Sequence, residues 1–343
     1  MTDALDKLRK IRDAARQNEG FDRMMLAREQ VFADYKPLFS LDNLNNFDVE
    51  KFKSFLYIEN NQHWTGLNRQ VSRLLASEEK LVNALSVLLD ENRPLAPRFD
   101  EALGSLKGFG KGLASAILLI AYPDKYGVWN NTSESAMKLL GIWPAFKRGM
   151  SLGQKYEEVN KVIVDTANQL EVDTWTLDGL WWLVLERSEE GNGDREESNP
   201  ALSETMFRLE RHLHEFMIDN WDKLTLGSEW DILTDESGDL VGYEYPTEVG
   251  RIDILARHKN KDAWLVVELK RGRTADRVVG QILRYMGWVQ KHIAGEAGNV
   301  QGLIVAPEFE QNMQYALLAA RNADISLARY HVRFELENLS IAE

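Results

Sequence analysis

Asp253, Glu268 and Lys270 lie in the stretch "GRIDILARHKNKDAWLVVELKRG", residues 250–272. Each stands in or beside an aliphatic run, "RIDIL" or "WLVVELK". Charged side chains are disfavoured in strand interiors unless a face is solvated or functional, and burying charge without a partner is costly. Two carboxylates beside a lysine suit a hard cation such as Mg2+ or Mn2+. Such ions take oxygen ligands from a few carboxylates, water and substrate phosphate. A cation held there polarises a phosphoryl oxygen and supplies or orients the attacking water. The lysine can orient that water or stabilise developing negative charge. Phosphodiester hydrolysis needs this combination. The bland alternative is a solvated antiparallel face with a cross-strand ion pair.

Two strands and a helix must position these groups. Residues two apart in a strand share a face. Arg251, Asp253 and Leu255 are expected on one side, Ile252 and Ile254 on the other. Val266, Glu268 and Lys270 share a face, and Leu265, Val267 and Leu269 the opposite one. Pairing through the turn near "HKNKDA" brings Asp253 close to Glu268, with the aliphatic side as core. The following "TADRVVGQILRYMGWVQKHIAG" has helical spacing. Gln281 and Tyr285 are four apart and share a helix face, with Trp288 one turn further. Such an edge can hold substrate or a carboxylate; an interfacial tyrosine beside an exposed glutamine is the alternative.

"VGRIDIL", "LVVELKRG" and "VGQILRYMGWV" together resemble the PD-(D/E)xK nuclease superfamily, and within it the C-terminal nuclease domain of the NucS/EndoMS endonucleases. The resemblance covers roughly residues 201–343. It implies a restriction-endonuclease-like α/β core, a mixed central sheet flanked by helices, that cuts DNA with a divalent metal. By resemblance Asp253 and Glu268 match the metal ligands, Lys270 the catalytic lysine, and Gln281 and Tyr285 the Q…Y pair. The family also places an acidic residue on its first helix. "RLERHLHEFMIDNW" offers Glu210 and Glu215, and the family rhythm favours Glu210. His212 and His214 are two apart on that helix and point different ways; they read as surface or capping residues. NucS-type enzymes carry a β-rich N-terminal domain, and here the chain departs from them.

The N-terminal half reads as helical, with segments such as "LDKLRKIRDAARQN", "EEKLVNALSVLLDEN" and "KYEEVNKVIVDTANQLE" at helical spacing. "SEEGNGDREESNP", residues 188–200, holds five acids, one Arg, two Gly and a closing Pro, with no apolar residue. It reads as a linker. The expected organisation is a mostly α-helical DNA-recognition domain at 1–187, an acidic linker at 188–200 and an α/β nuclease domain at 201–343.

Within the helical half, "LGSLKGFGKGLASAIL", residues 103–118, matches the helix–hairpin–helix pattern hxxhxGhGxxxAxxhh. Gly108 and Gly110 permit a tight turn and close backbone approach. The next helix offers free N–H groups and a positive dipole end for a phosphate. Lys107, Lys111 and Gly112 complete the candidate DNA contact, which grips backbone and carries no sequence information. A plain helical hairpin with a glycine-rich turn is the alternative. The context resembles helix–hairpin–helix DNA glycosylases. Those place a catalytic Asp before the next helix, where Asn130 and Asn131 stand here. An amide cannot act as that carboxylate. Trp129, Asn130 and Asn131 read either as a pocket for a flipped base or as a capped helix start with the tryptophan in the core.

Composition bounds the rest. The 343 residues suggest two domains, and 44% hydrophobic with 28% charged residues is a soluble globular profile. With no cysteine, disulfides and thiolate zinc sites are excluded. A net charge of −13 argues against a generic polyanion-coating protein, though not against a local phosphate site. The N-terminus lacks an apolar signal core and no run is long enough to span a bilayer, so a cytoplasmic protein without membrane attachment is expected. DNA is the expected partner, in defence, restriction or repair, with Mg2+ or Mn2+ as cofactor. Cutting both strands of a duplex suggests a homodimer. The competing readings are a modified-base reader or glycosylase-like protein with an auxiliary nuclease fold, and a non-catalytic DNA-binding protein.

Overall fold

A computed structural model describes residues 2–15, 18–64, 66–190, 213–214, 216–218, 220–234, 240–270, 273–274 and 276–331. The chain divides into two compact units, residues 1–196 with 234–239 and residues 197–233 with 240–343.

The first unit is helical, with no strand among the described residues 2–190. Its longer helices are Thr2–Ala15, Glu19–Tyr35, Glu78–Leu89, Leu95–Ser105, Lys111–Ala121, Leu152–Leu170 and Thr174–Glu190. Local sequence starts several of them. Asn18, Asp48, Ser77, Asn130 and Ser151 each accept a hydrogen bond from a backbone N–H in the first turn. Such caps contribute about 1 kcal/mol each. The helix Lys111–Ala121 is buried from Leu113 through Ala121. A helix apolar on all sides belongs at the centre of a bundle, and its neighbours pack around it in one continuous core. The helix Thr174–Glu190 takes in the first three residues of the stretch read as linker. Glutamate is a good helix former, and the first glycine of that stretch comes only at Gly191.

The second unit is α/β. Its strands are β1 (Trp230–Ile232), β2 (Tyr243–Thr247), β3 (Gly250–His258), β4 (Ala263–Leu269), β5 (Arg273–Thr274), β6 (Asn299–Ala306), β7 (Glu308–Phe309) and β8 (Ile325–Arg329). The main sheet is mixed and runs β1-β3-β4-β6-β8, with β2 also pairing β3. β3 and β4 form an antiparallel hairpin, whereas β6 and β8 are parallel to β4 and to each other in turn. Every residue of β4 is buried, as expected of a strand with a parallel neighbour and both faces covered. One face packs on the helix Arg277–Val289 through Val278, Val279, Ile282, Tyr285, Met286 and Val289, an apolar stripe at helical spacing. The opposite face packs on Met217, Ile218, Trp221 and Tyr243.

The two-residue alternation expected for β3 breaks at Asp253. Ile252 packs in the cluster on the helix side, and Ile254 packs on the opposite side. The ladder to β4 begins at Ile254, paired with Val267. The ladder to β2 pairs Tyr243 with Ile254 and Tyr245 with Ile252, and passes over Asp253. The β2 residue between, Glu244, has φ 45°, which marks an irregularity in that strand of the kind that re-aims side chains. Face counting from sequence assumes a regular strand; this one bends at the carboxylate.

Candidate active site

Asp253 is half-buried, and its Oδ2 accepts the main-chain N–H of Leu269 at 2.6 Å. This bond ties the β3 carboxylate to the end of β4, one residue beyond Glu268. Glu268 is 1% exposed. Its Oε1 accepts from Lys270 Nζ at 2.7 Å and from Gln281 Nε2 at 2.6 Å. The Lys270 ammonium neutralises a carboxylate that would be prohibitively costly to bury alone. Gln281 also reaches Tyr285 Oη at 3.4 Å. Burial raises the pKa of the Tyr285 hydroxyl, and the nearby charges of Glu268 and Asp253 raise it further. It therefore stays a neutral O–H group at physiological pH.

Backbone freedom lets Tyr285 come close. Gly250 has φ +127°, and a Cβ there would stand 2.6 Å from Tyr285 Oη. The glycine of "VGRIDIL" is thus set by a close approach that a side chain would block. One turn beyond, Trp288 Nε1 donates to Glu248 Oε2 at 2.5 Å and its ring stacks on His292.

The donor set tests whether a metal fits. Asp253 and Glu268 offer only carboxylate oxygen, which suits a hard divalent cation and not a thiolate-seeking one. Among the described residues, no group of three or more His, Cys, Asp or Glu side chains gathers to hold an ion. A two-carboxylate site completed by water and substrate phosphate is how Mg2+ is commonly held, so the pair fits. Glu210, His212 and Glu215 lie outside the described residues.

His214 differs from the sequence expectation. It is 6% exposed rather than at the surface. Its Nε2 meets the main-chain carbonyl of Asp253 at 2.8 Å, and its ring lies against Tyr243. The one available signal was its spacing with Leu213, Met217 and Ile218 on an apolar helix face.

The second set of candidate residues lies in the helical unit. The helices Leu95–Ser105 and Lys111–Ala121 flank a turn closed by Phe109 N–H to Leu106 O at 3.1 Å. Gly108 has φ +88° and sits against Gln70 and Arg73, while Gly110 caps the second helix. Gly112 lies in the first turn of that helix. Lys107 is exposed. Lys111 is engaged: its ammonium lies 4.7 Å from the Trp129 ring centre and 3.6 Å from Glu134 Oε2. Trp129 is 3% exposed and packs near Trp143, Phe146 and Tyr156. Its indole N–H donates to Glu134 at 3.0 Å. It is a core side chain rather than a surface for stacking a base, because its ring completes the aromatic cluster beneath the helix start. Asn130 forms a reciprocal capping box with Ser133, and Asn131 opens the helix Asn131–Leu139.

Residues 226–329 match the endonuclease NucS C-terminal domain. The matched span contains the eight strands found among the described residues, Asp253, Glu268, Lys270 and the Gln281–Tyr285 helix. No curated protein matches the chain. Three solved structures are similar. A repair endonuclease from Pyrococcus abyssi is 20% identical over 40% of this chain and 49% of its own, with a TM-score of 0.24. A complex of EndoMS with double-stranded DNA is 20% identical over 41% and 50%, with a TM-score of 0.28. The 8-oxoguanine DNA glycosylase of Thermotoga maritima is 18% identical over 52% and 95%, with a TM-score of 0.29. The chain spans about half the length of the first two. The NucS-like domain is joined here to a helical unit that the family match does not reach.

Proposed function

We propose that this chain is a divalent-metal-dependent DNA endonuclease, acting in repair or in defence against foreign DNA. The NucS-like domain hydrolyses phosphodiester bonds and the helical unit recognises DNA. One observation carries the reading: a carboxylate 1% exposed, Glu268, shares one oxygen between an ammonium and an amide, in a strand end tied to a second carboxylate. A core made only for stability would place an aliphatic side chain there.

Asp253 and Glu268 would hold the ion. When bound, it supplies Lewis-acid polarisation of the phosphoryl oxygen and lowers the pKa of a water molecule. The chain's own residues do the rest. Lys270 holds positive charge beside the carboxylates, where it stabilises the negative charge that develops as the water oxygen bonds to phosphorus and the ester oxygen departs. Gln281 fixes the rotamer of Glu268 by its 2.6 Å bond. Tyr285, kept protonated, offers an O–H donor and no second anion. The first turn of the helix Lys111–Ala121 offers main-chain N–H groups to a phosphate, with Lys107 as the exposed cation. Glycosylase chemistry is disfavoured because Asn130 is spent as a helix cap and carries no carboxylate.

The test is cleavage of single-stranded, duplex, mismatched and base-modified DNA with Mn2+ and with EDTA. Cutting in Mn2+ alone, abolished by Asp253→Asn and by Lys270→Ala, is expected. Metal-independent base release, or binding without cleavage on every substrate, would overturn the reading.

A further inference from the structure

We propose that His214 is a positioning residue for the Asp253 carboxylate, acting through the main chain. The inference rests on the nuclease reading and adds a residue to it. Asp253 stands where β3 has no ladder pair on either flank: pairing to β4 starts at Ile254, and pairing to β2 passes from Ile252 to Ile254. A strand carbonyl out of contact with water needs a hydrogen-bond donor. His214 Nε2 supplies it at 2.8 Å. A carbonyl only accepts, so this contact selects the tautomer with hydrogen on Nε2.

The bond is held from both ends. Around His214 stand Tyr243, whose ring centre is 4.4 Å away, and the buried Met217 and Ile218 of the same helical segment. Asp253 is held on its other side by the Leu269 N–H bond to Oδ2. Peptide plane and carboxylate of one residue are therefore both held by hydrogen bonds, one to a helix and one to a strand. Without the His214 bond, rotation of the Asp253 peptide would swing the carboxylate away from the end of β4. Partners that orient a ligand in this manner commonly change metal affinity or activity by about 10–100-fold when removed.

The experiment compares His214→Phe, which keeps the ring against Tyr243 and deletes the donor, with His214→Gln, whose amide reaches about as far as Nε2. Mn2+ binding to the full chain is measured by calorimetry, and steady-state cleavage is measured alongside thermal midpoints. The expected result for His214→Phe is Mn2+ affinity weakened about tenfold or more and kcat reduced, with KM for DNA unchanged; His214→Gln recovers most of both. Wild-type Mn2+ affinity and kcat in His214→Phe overturn the proposal. So does a loss in both variants that tracks the fall in thermal midpoint, which is a packing role only. Asp253→Asn is the control that separates the two readings. If it leaves Mn2+ binding and cleavage intact, the nuclease site itself is wrong; if it abolishes both while His214→Phe behaves as wild type, only the positioning role fails.

Discussion

Gln281 and Lys270 meet on one oxygen: Glu268 Oε1 accepts the glutamine amide at 2.6 Å and the lysine ammonium at 2.7 Å. The helix and the strand end therefore hold the same carboxylate from two directions. Gln281→Leu removes one of the two holds while leaving the helix's apolar stripe in place. Cleavage is expected to fall about 10–100-fold with the thermal midpoint little changed. Gln281→Glu should be worse, because it sets a second carboxylate against a buried one. Single-turnover cleavage rates of the two variants check the order.

Gly250 carries the second prediction. Gly250→Ala sets a Cβ 2.6 Å from Tyr285 Oη at φ +127°. Backbone strain of this kind costs on the order of 1–3 kcal/mol, and the steric conflict adds to it. Adding Tyr285→Phe removes the oxygen but not the strain. Chemical denaturation of the single and double variants should therefore show partial, not full, recovery of stability.

Lys107 and Lys111 are expected to behave differently although both flank the hairpin turn. Lys107 is exposed, whereas Lys111 is paired with Glu134 and stacked on Trp129. Lys107→Ala should weaken DNA binding evenly across sequences and reduce the slope of log affinity against log salt by about 0.9. Lys111→Ala should lower the thermal midpoint as well. Salt-titrated binding isotherms together with melting curves separate the two effects.

Glu134 makes the helical unit acid-sensitive. Burial pushes its carboxyl pKa up, but the Lys111 and Lys138 ammonium groups and the Trp129 N–H outweigh burial and hold it below the ordinary glutamate value. A depressed carboxylate pKa stabilises the fold above the unfolded-state pKa of about 4.3. That contribution is lost as pH falls through the lower, folded-state pKa. Thermal midpoints measured from pH 6 to pH 3 should drop more steeply for the wild type than for Glu134→Gln below about pH 4.5.

Much of this was legible in the sequence because period and punctuation were strong. The apolar run around Glu268, the helical stripe containing Ile282 and Tyr285, and the glycines at 108 and 110 each announce one local structure. Lys270 and Gln281 both reach Glu268 Oε1, in keeping with an edge that can hold a carboxylate. Two features were hidden for a common reason: they depend on partners distant in the chain. The face of Ile252 turns on a strand irregularity at Asp253 that alternation rules do not contain. The burial of His214 depends on Tyr243 and on a carbonyl 39 residues away. For Trp129 the sequence left two readings open, and its enclosure by Trp143, Phe146 and Tyr156 decides for the core.

The break at Asp253 has a further consequence for how the site is lost. Ile252 is seated in one hydrophobic layer and Ile254 in the other, so the residue between them is riveted through the thickness of the sheet. Fraying of the outer strands alone does not unseat these flanks, while the Asp253 peptide between them still turns on its own hydrogen bonds. In the vocabulary of amide exchange, the Leu269 N–H that grips Asp253 is expected among the slowly exchanging sites of the domain, because every residue of β4 is buried. Partial loosening of the outer strands then leaves the Asp253–Leu269 bond in place.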